Sequence, residues 1–316
     1  MSTPASTPPS HPARPFPVSA AQSRAVRRAY LLLAAVVVLW GVNWPVMKIG
    51  LAYIDPVWFV VIRMFFGAAL FFGWQFATAG VAVPGRRDVP IILSIGLLQI
   101  GLYLVLITVG LRYVPAGRSA ILSYTTPLWV VPGALLLGER LTASRLGGLA
   151  LGLAGMAVLF EPGEIDWSDR GILFGNLCLV FAAFAWAIAI LHIRFHRWQL
   201  SPLQLMPWHL LLAGVAVLPL ALAVEGAPHV EWTPEFWAVL LYNGPLTTCF
   251  CVWAIITIGR ILPAITTSLV LLAVPVVGLA ASTLWLGEAL TGGLLLGMAL
   301  IGAGVGLVSL ADRGRN

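Results

Sequence analysis

Residues 114–130 read VPAGRSAILSYTTPLWV, and residues 262–278 read LPAITTSLVLLAVPVVG. Each stretch opens on a Pro-Ala pair, and Pro127 answers Pro275 at the same offset. Each is followed by a near-copy, LGERLT at 137–142 and LGEALT at 286–291, with one residue of slippage between them. Working outward, the pairs continue in order. Pro56 and Pro202 each open an apolar run, with Arg63 and His209 seven residues on and the small residues Gly67 and Ala213 four further. Trp40 precedes Lys48 by eight residues, as Trp186 precedes Arg194. Any one pairing is weak, but the ordered series implies an internal repeat.

The solvent of that repeat follows from composition. Of the 316 residues 60% are apolar and 9% charged, with a mean hydropathy of +0.96. A soluble chain this long carries far more charge on its surface. Spanning a hydrocarbon layer roughly 30 Å thick takes about 20 apolar residues. Ten such stretches are expected, near 29–50, 55–78, 89–111, 115–137, 143–161, 171–193, 203–224, 235–258, 263–286 and 290–310. Five spans per half is an odd number, so the second half must run inverted relative to the first. The expected fold class is an all-α membrane protein of ten transmembrane helices in two inverted five-helix repeats, 29–161 and 171–311. Residues 1–28, rich in Pro, Ser and Ala, are expected to form a disordered cytoplasmic tail. Inverted repeats characterise secondary transporters, with a site near the bilayer midplane where the halves meet.

The net charge of +6 is a topology signal and not a nucleic-acid footprint. Arg24, Arg27, Arg28, Arg86, Arg87, Arg140, Arg145, Arg194, Arg197, Arg260, Arg313 and Arg315 all fall on one set of links or ends. Most acids fall on the other. Arg112, Arg118, Arg170 and Lys48 are exceptions, but the bias places both termini in the cytoplasm. Cys178, Cys249 and Cys251 lie within expected spans and are read as packing residues. No aspartate or glutamate falls mid-span, which argues against a carboxylate-bound metal and leaves no catalytic group. No cofactor and no metal are expected.

The stretch WGVNWPVMKIGL (40–51) puts polar and helix-bending residues into an apolar segment. Pro45 lacks an N–H and leaves the Gly41 carbonyl without its helical donor, so a bend is expected there. Gly41, Pro45, Pro127 and Pro275 are the candidate hinges. Trp40, Asn43 and Met47 share a face by helical spacing. That face lines a polar-aromatic cavity or, alternatively, glues helices together. Arg63 lies about 10 Å beyond Pro56 along the helix, too deep to face lipid. It either clamps a substrate carboxylate or ties loose carbonyls. His209, its counterpart, is either a packing residue or a proton relay. Gln99, Tyr103, Tyr124, Asn176, Trp186, Tyr242, Asn243 and Trp253 complete the candidate cavity residues. Glu139 and Glu288 are read as structural, with Thr142 and Thr291 as N-caps. Gly148/Gly152 and Gly293/Gly297 give close-packing faces.

WGVNWPVMKIGL, Arg63 after Pro56, LRYVPAGRSAILSYTTPLWV and GERLTASRLGGLALGLAGMAVLF together resemble the EamA-type members of the drug/metabolite transporter superfamily. The resemblance runs from about residue 30 to 311. It implies a ten-helix carrier of small organic metabolites such as amino acids, working by alternating access in the inner membrane and often as an exporter. His209 in place of a second arginine, and the loss of a GxN element after Trp186, imply unequal halves. An uptake permease or drug efflux carrier of the same fold remains open, as does a polytopic enzyme or receptor. The expected partners are a small-molecule substrate and the lipid bilayer, with no nucleic acid; the pattern is compatible with a monomer.

Overall fold

A computed structural model describes residues 20–78, 80–160, 168–286 and 292–313. These residues are almost wholly helical, with no β-strand among them beyond an isolated bridge between Ile54 and Val230. In lipid a backbone must satisfy its own hydrogen bonds, and these apolar runs do so as helices. In chain order they are α1 (Ala20–Gly50), α2 (Pro56–Thr78), α3 (Val89–Tyr113), α4 (Ala116–Ser123), α5 (Pro127–Leu136), α6 (Ala143–Phe160), α7 (Arg170–Phe195), α8 (Pro202–Val224), α9 (Pro234–Gly259), α10 (Ala264–Val270), α11 (Ala273–Leu286) and α12 (Gly292–Arg313). Eight helical segments among the described residues are long and apolar enough to cross a membrane, counting 119–136 and 264–281 as single segments. Ala143–Val158 and Leu295–Leu307 are shorter apolar helices. The protein is thus an all-helical, multi-pass membrane protein.

The helix boundaries follow local chemistry. Pro56, Pro127, Pro202 and Pro234 stand first in their helices, where a missing N–H costs nothing. Ser201 and Gln204 form a reciprocal capping box, and Thr233 caps Phe236. Thr142 accepts from the Arg145 N–H, the N-cap geometry expected for α6. Glu288 and Thr291, and the tail at 1–19, lie outside the described residues.

Three features depart from the sequence reading. First, α1 begins at Ala20, inside the expected disordered tail, because AAQSRAVRR is rich in strong helix formers. Second, α1 runs unbroken through Pro45 to Gly50. Its freed Gly41 carbonyl abuts Gly278 of α11, so close that an added Cβ there would lie 3.2 Å from it. A side chain on Gly41 would meet the Val277 Cβ at 2.5 Å. Third, the expected spans 115–137 and 263–286 are each two helices, interrupted at Tyr124–Thr126 and at Leu271–Leu272. Pro127 and Pro275 both stand in the first turn after an interruption.

The helices pack in pairs: α2 on α8, α6 on α12, α3 on α7 and α1 on α11. The ends are tied by acids to backbone N–H groups of other segments. Glu225, after α8, accepts from Val57 and Trp58 at the start of α2 at 3.0–3.1 Å. Glu139 accepts from Ala264 and Ile265 at the start of α10. Asp88 accepts from Gly85, Gln199 and Leu200 at 3.0, 2.7 and 3.1 Å. Burial works against the Asp88 charge, but these three donors and nearby His196 outweigh it and hold the carboxyl below its ordinary value of 3.8. A depressed carboxyl stabilises the fold above its unfolded pKa and loses that contribution as pH falls through its folded one. Asp88→Ala is therefore expected to lower the melting temperature at pH 7, for a loss of about 1–2 kcal/mol. The gap from wild type should close as pH drops below about 3.8. Melting curves at a series of pH values check this; a gap that stays constant down to pH 2 would contradict it.

Candidate functional site

Seven of the sequence candidates converge on one internal cavity: Trp40, Asn43, Arg63, Gln99, Tyr103, Tyr124 and Trp186. α1 supplies Trp40, Asn43, Trp44 and Met47, and α2 supplies Arg63. From α3 come Gln99, Ile100, Tyr103, Leu104 and Ile107, while Trp186 belongs to α7. Thr247, Thr248 and Val252 belong to α9, and Tyr124 sits at the interruption between α4 and α5.

The backbone around this cavity is irregular in two places. α3 is π-helical over Ser94–Leu102, and α9 is π-helical over Tyr242–Phe250. Gln99 and the two threonines sit on these widened turns. In α9, Pro245 removes a helical N–H and loosens the ladder. In α3, a Cβ on Gly101 would approach the Gly96 carbonyl, five residues back, to 3.1 Å. Glycine at that position permits the wider turn. π-turns inside α-helices recur at functional sites.

The aromatic walls interlock. Trp40 meets Trp186 edge-on with ring centroids 5.3 Å apart, Tyr103 lies 4.5 Å from Trp186, and Trp44 meets Tyr124 at 6.4 Å. Trp40 also donates its indole N–H to the Thr247 carbonyl at 3.0 Å. Arg63 is buried. Its Nη2 donates to Thr248 Oγ1 at 2.9 Å, its Nη1 approaches Met47 Sδ at 3.5 Å, and its guanidinium carbon lies 5.3 Å from the Phe59 ring centroid. No carboxylate pairs with it among the described residues. A Cβ on Gly67, one turn on, would stand 3.0 Å from Cys249 Sγ and from Leu210 Cδ1, tighter than ordinary contact, so a small residue suits this position.

Several polar atoms here have no partner among the described residues: Arg63 Nε, both amide atoms of Gln99 and Asn43 Oδ1. Buried polar groups are seldom left unpaired without a reason. The cavity measures only about 40 Å³, room for roughly three waters. Most metabolites need several times that volume.

The other five candidates lie outside the cavity. His209 is buried in α8, where the Ile92 carbonyl neighbours its ring without completing a hydrogen bond. Asn176 is buried in α7 with neither amide atom paired. Asn243 donates to the Val239 carbonyl within α9. The Tyr242 hydroxyl donates to the Leu39 carbonyl at 2.8 Å, tying α9 to α1. Trp253 packs beside Phe250. Among the lining residues absent from the sequence candidates, Trp44 had a signal: it follows Trp40 by one helical turn. Thr247 and Thr248 are adjacent hydroxyls after Asn-Gly-Pro in an apolar run. Among the described residues no group of three or more His, Cys, Asp and Glu side chains gathers as a metal site requires.

Known proteins place this architecture. A Bacillus subtilis protein called uncharacterized transporter YoaV is 29% identical over 88% of this chain and 95% of its own. A Salmonella typhimurium protein named as a probable amino-acid metabolite efflux pump is 30% identical over 88% of this chain and 94% of its own. One solved crystal structure, at 20% identity, superposes with a TM-score of 0.70 over 90% of this chain and 99% of that one, and so shares the fold. The model of the EamA-like transporter family matches residues 27–161 and again 173–310, once per half. The chain therefore belongs to the EamA-like transporter family: it is a membrane transporter and not an enzyme.

Proposed function

We propose that the protein exports small organic metabolites bearing an anionic group, amino acids foremost, across the inner membrane by alternating access. The observation that carries this reading is Arg63: a buried guanidinium without a carboxylate partner among the described residues, facing a cavity walled by tryptophan and tyrosine. A planar fork suits a carboxylate, and the aromatic walls suit an apolar side chain. The unpaired atoms of Gln99 and Asn43 suit an ammonium or a further carboxylate oxygen. The Salmonella relative's name supports export and the amino-acid class.

Alternating access rests on a proposed architecture of ten spans in two inverted five-helix repeats. The packing supports it. α2 pairs with α8 and α6 with α12, each a segment with its own counterpart. Contacts of α3 with α7 match those of α9 with α1, and contacts of α1 with α11 match those of α7 with α5. Both third spans carry a π-turn and both fourth spans are interrupted. Freed backbone at membrane depth is tolerated where it lines a cavity. The small cavity fits a state that must widen to admit cargo. The Gly41–Gly278 contact and the interruptions before Pro127 and Pro275 are the places where the halves flex.

Ligand binding to the native state raises its apparent stability. Purified protein should melt higher with one or more amino acids, and less so with their amides or esters. A shift confined to cations without a carboxylate would overturn the anionic-group reading. Cytoplasmic termini follow from the arginine bias. A reporter active only outside the cytoplasm should stay silent after Asn316 and become active within 164–168; the reverse would invert the topology.

A further inference from the structure

A second cleft, of about 430 Å³, shares no lining residue with the central cavity and opens where the chain leaves α7 and α9. Ile193, Arg194, His196, Arg197, Trp198 and Arg260 line it. Arg194 is partly neutralised, its Nε 3.6 Å from Glu139. Arg197 and Arg260 have no carboxylate within ion-pair distance among the described residues. The Arg260 guanidinium is parked 5.0 Å from the Trp198 ring centroid. Trp198 supplies a separate observation. It is nine-tenths buried against the cleft, yet its indole N–H has no acceptor among the described residues. A buried donor left unpaired costs free energy that a ligand acceptor would recover. Two arginines without a carboxylate among the described residues line the same cleft as that ring, and together they suit an anion with several oxygens.

We propose that this cleft binds a phosphate group, with the Trp198 N–H and the Arg197 and Arg260 guanidiniums as donors. Arginine forks match phosphate oxygens in pairs. The cleft lies at the ends of membrane helices, the depth at which phospholipid heads sit, and Phe195 beside it is exposed on the outer surface. A lipid phosphodiester and a free phosphate ion offer the same chemistry, and the test separates them.

Full-length protein purified in detergent would be melted against short-chain phosphatidylglycerol, phosphatidylcholine and sodium phosphate at matched ionic strength. Phosphatidylglycerol should raise the melting temperature with a saturable midpoint, while phosphatidylcholine, whose phosphate is masked by a choline cation, should do far less. Trp198→Phe keeps the ring and removes only the N–H. It and Arg260→Gln should each weaken the midpoint about tenfold. Arg197 is exposed, so Arg197→Gln should fold even if the other two variants do not, and should weaken binding likewise. Lys48→Gln, at the opposite end of the bundle, should bind as wild type. Equal shifts with both lipids, or midpoints unchanged in all three cleft variants, would overturn the proposal. A shift from sodium phosphate, lost in Trp198→Phe and not enlarged by phosphatidylglycerol, would support the phosphate site and assign it to the free ion.

Discussion

Replacing Arg63 by lysine is expected to weaken substrate binding roughly 10- to 150-fold, for a loss of about 1.5–3 kcal/mol from one charge-assisted hydrogen bond. Lysine keeps the charge and most of the stem but loses the planar two-point fork. In the resting protein Arg63 spends one nitrogen on Thr248 and another on Met47, and leaves Nε unpaired. An ammonium can reach one such acceptor but cannot also present a fork to cargo. Melting temperature should therefore change little while affinity falls. Both quantities need measuring on one preparation, because a helix staple behaves the opposite way. Arg63 bridges α2 to α9 and α1, so a purely structural role predicts a lower melting temperature with normal binding. That pattern would remove Arg63 from the site and leave Trp40, Asn43 and Trp186 as its main surface.

The second large effect lies at α6 and α12. A Cβ on Gly155 would stand 2.7 Å from the Gly297 carbonyl oxygen and 3.0 Å from the Ile301 backbone nitrogen. A Cβ on Gly304 would stand 2.7 Å from the Gly148 carbonyl oxygen. These obstacles are backbone, which cannot rotate aside as a side chain can, so a larger residue must push the helices apart. Gly155→Leu is expected to cost about 3 kcal/mol, the upper end of ordinary overpacking, and to lower the yield of folded protein sharply. Gly302 lies on the same helix as Gly304 but has open space where its Cβ would go. Gly302→Ala should be neutral or gain up to about 1 kcal/mol from helix propensity. Similar melting temperatures for Gly155→Leu and Gly302→Ala would contradict the close-packed interface.

Much of this was legible in the residues, for identifiable reasons. Lipid leaves a chain few conformational choices, so apolar length located most helix ends to within a few residues, but not the start of α1 at Ala20 or the two interrupted spans. The repeated LGE and Pro-Ala elements exposed the two halves. The Trp40–Asn43–Met47 stripe was readable because helical spacing fixes which side chains share a face. Other features were hidden. A sequence gives spacing along a helix but not the rotation of that helix against its neighbours. Asn176 and His209 therefore looked equivalent to Gln99, yet they pack outside the cavity. The π-turns at Ser94–Leu102 and Tyr242–Phe250 add a residue to one helical turn, which shifts every face beyond them. Pro245 hinted at one of these; nothing as plain marked the other. The interruption at Leu271–Leu272 falls in an unbroken apolar run, and only its likeness to the Tyr124–Thr126 interruption makes sense of it. Glycines in apolar helices look alike in sequence, whereas Gly155 and Gly302 differ in what faces them.

The central claim is vectorial movement of an anionic metabolite through the Arg63 cavity. The most direct test reconstitutes the wild-type protein and Arg63→Lys into sealed vesicles and follows a labelled amino acid, first identified by its thermal shift, across the bilayer. The account predicts chemically unaltered solute accumulating on the far side with wild type, and little above empty vesicles with Arg63→Lys at equal amounts of folded protein. Equal transport by both proteins, or a chemically changed product with no trapped solute, would contradict it.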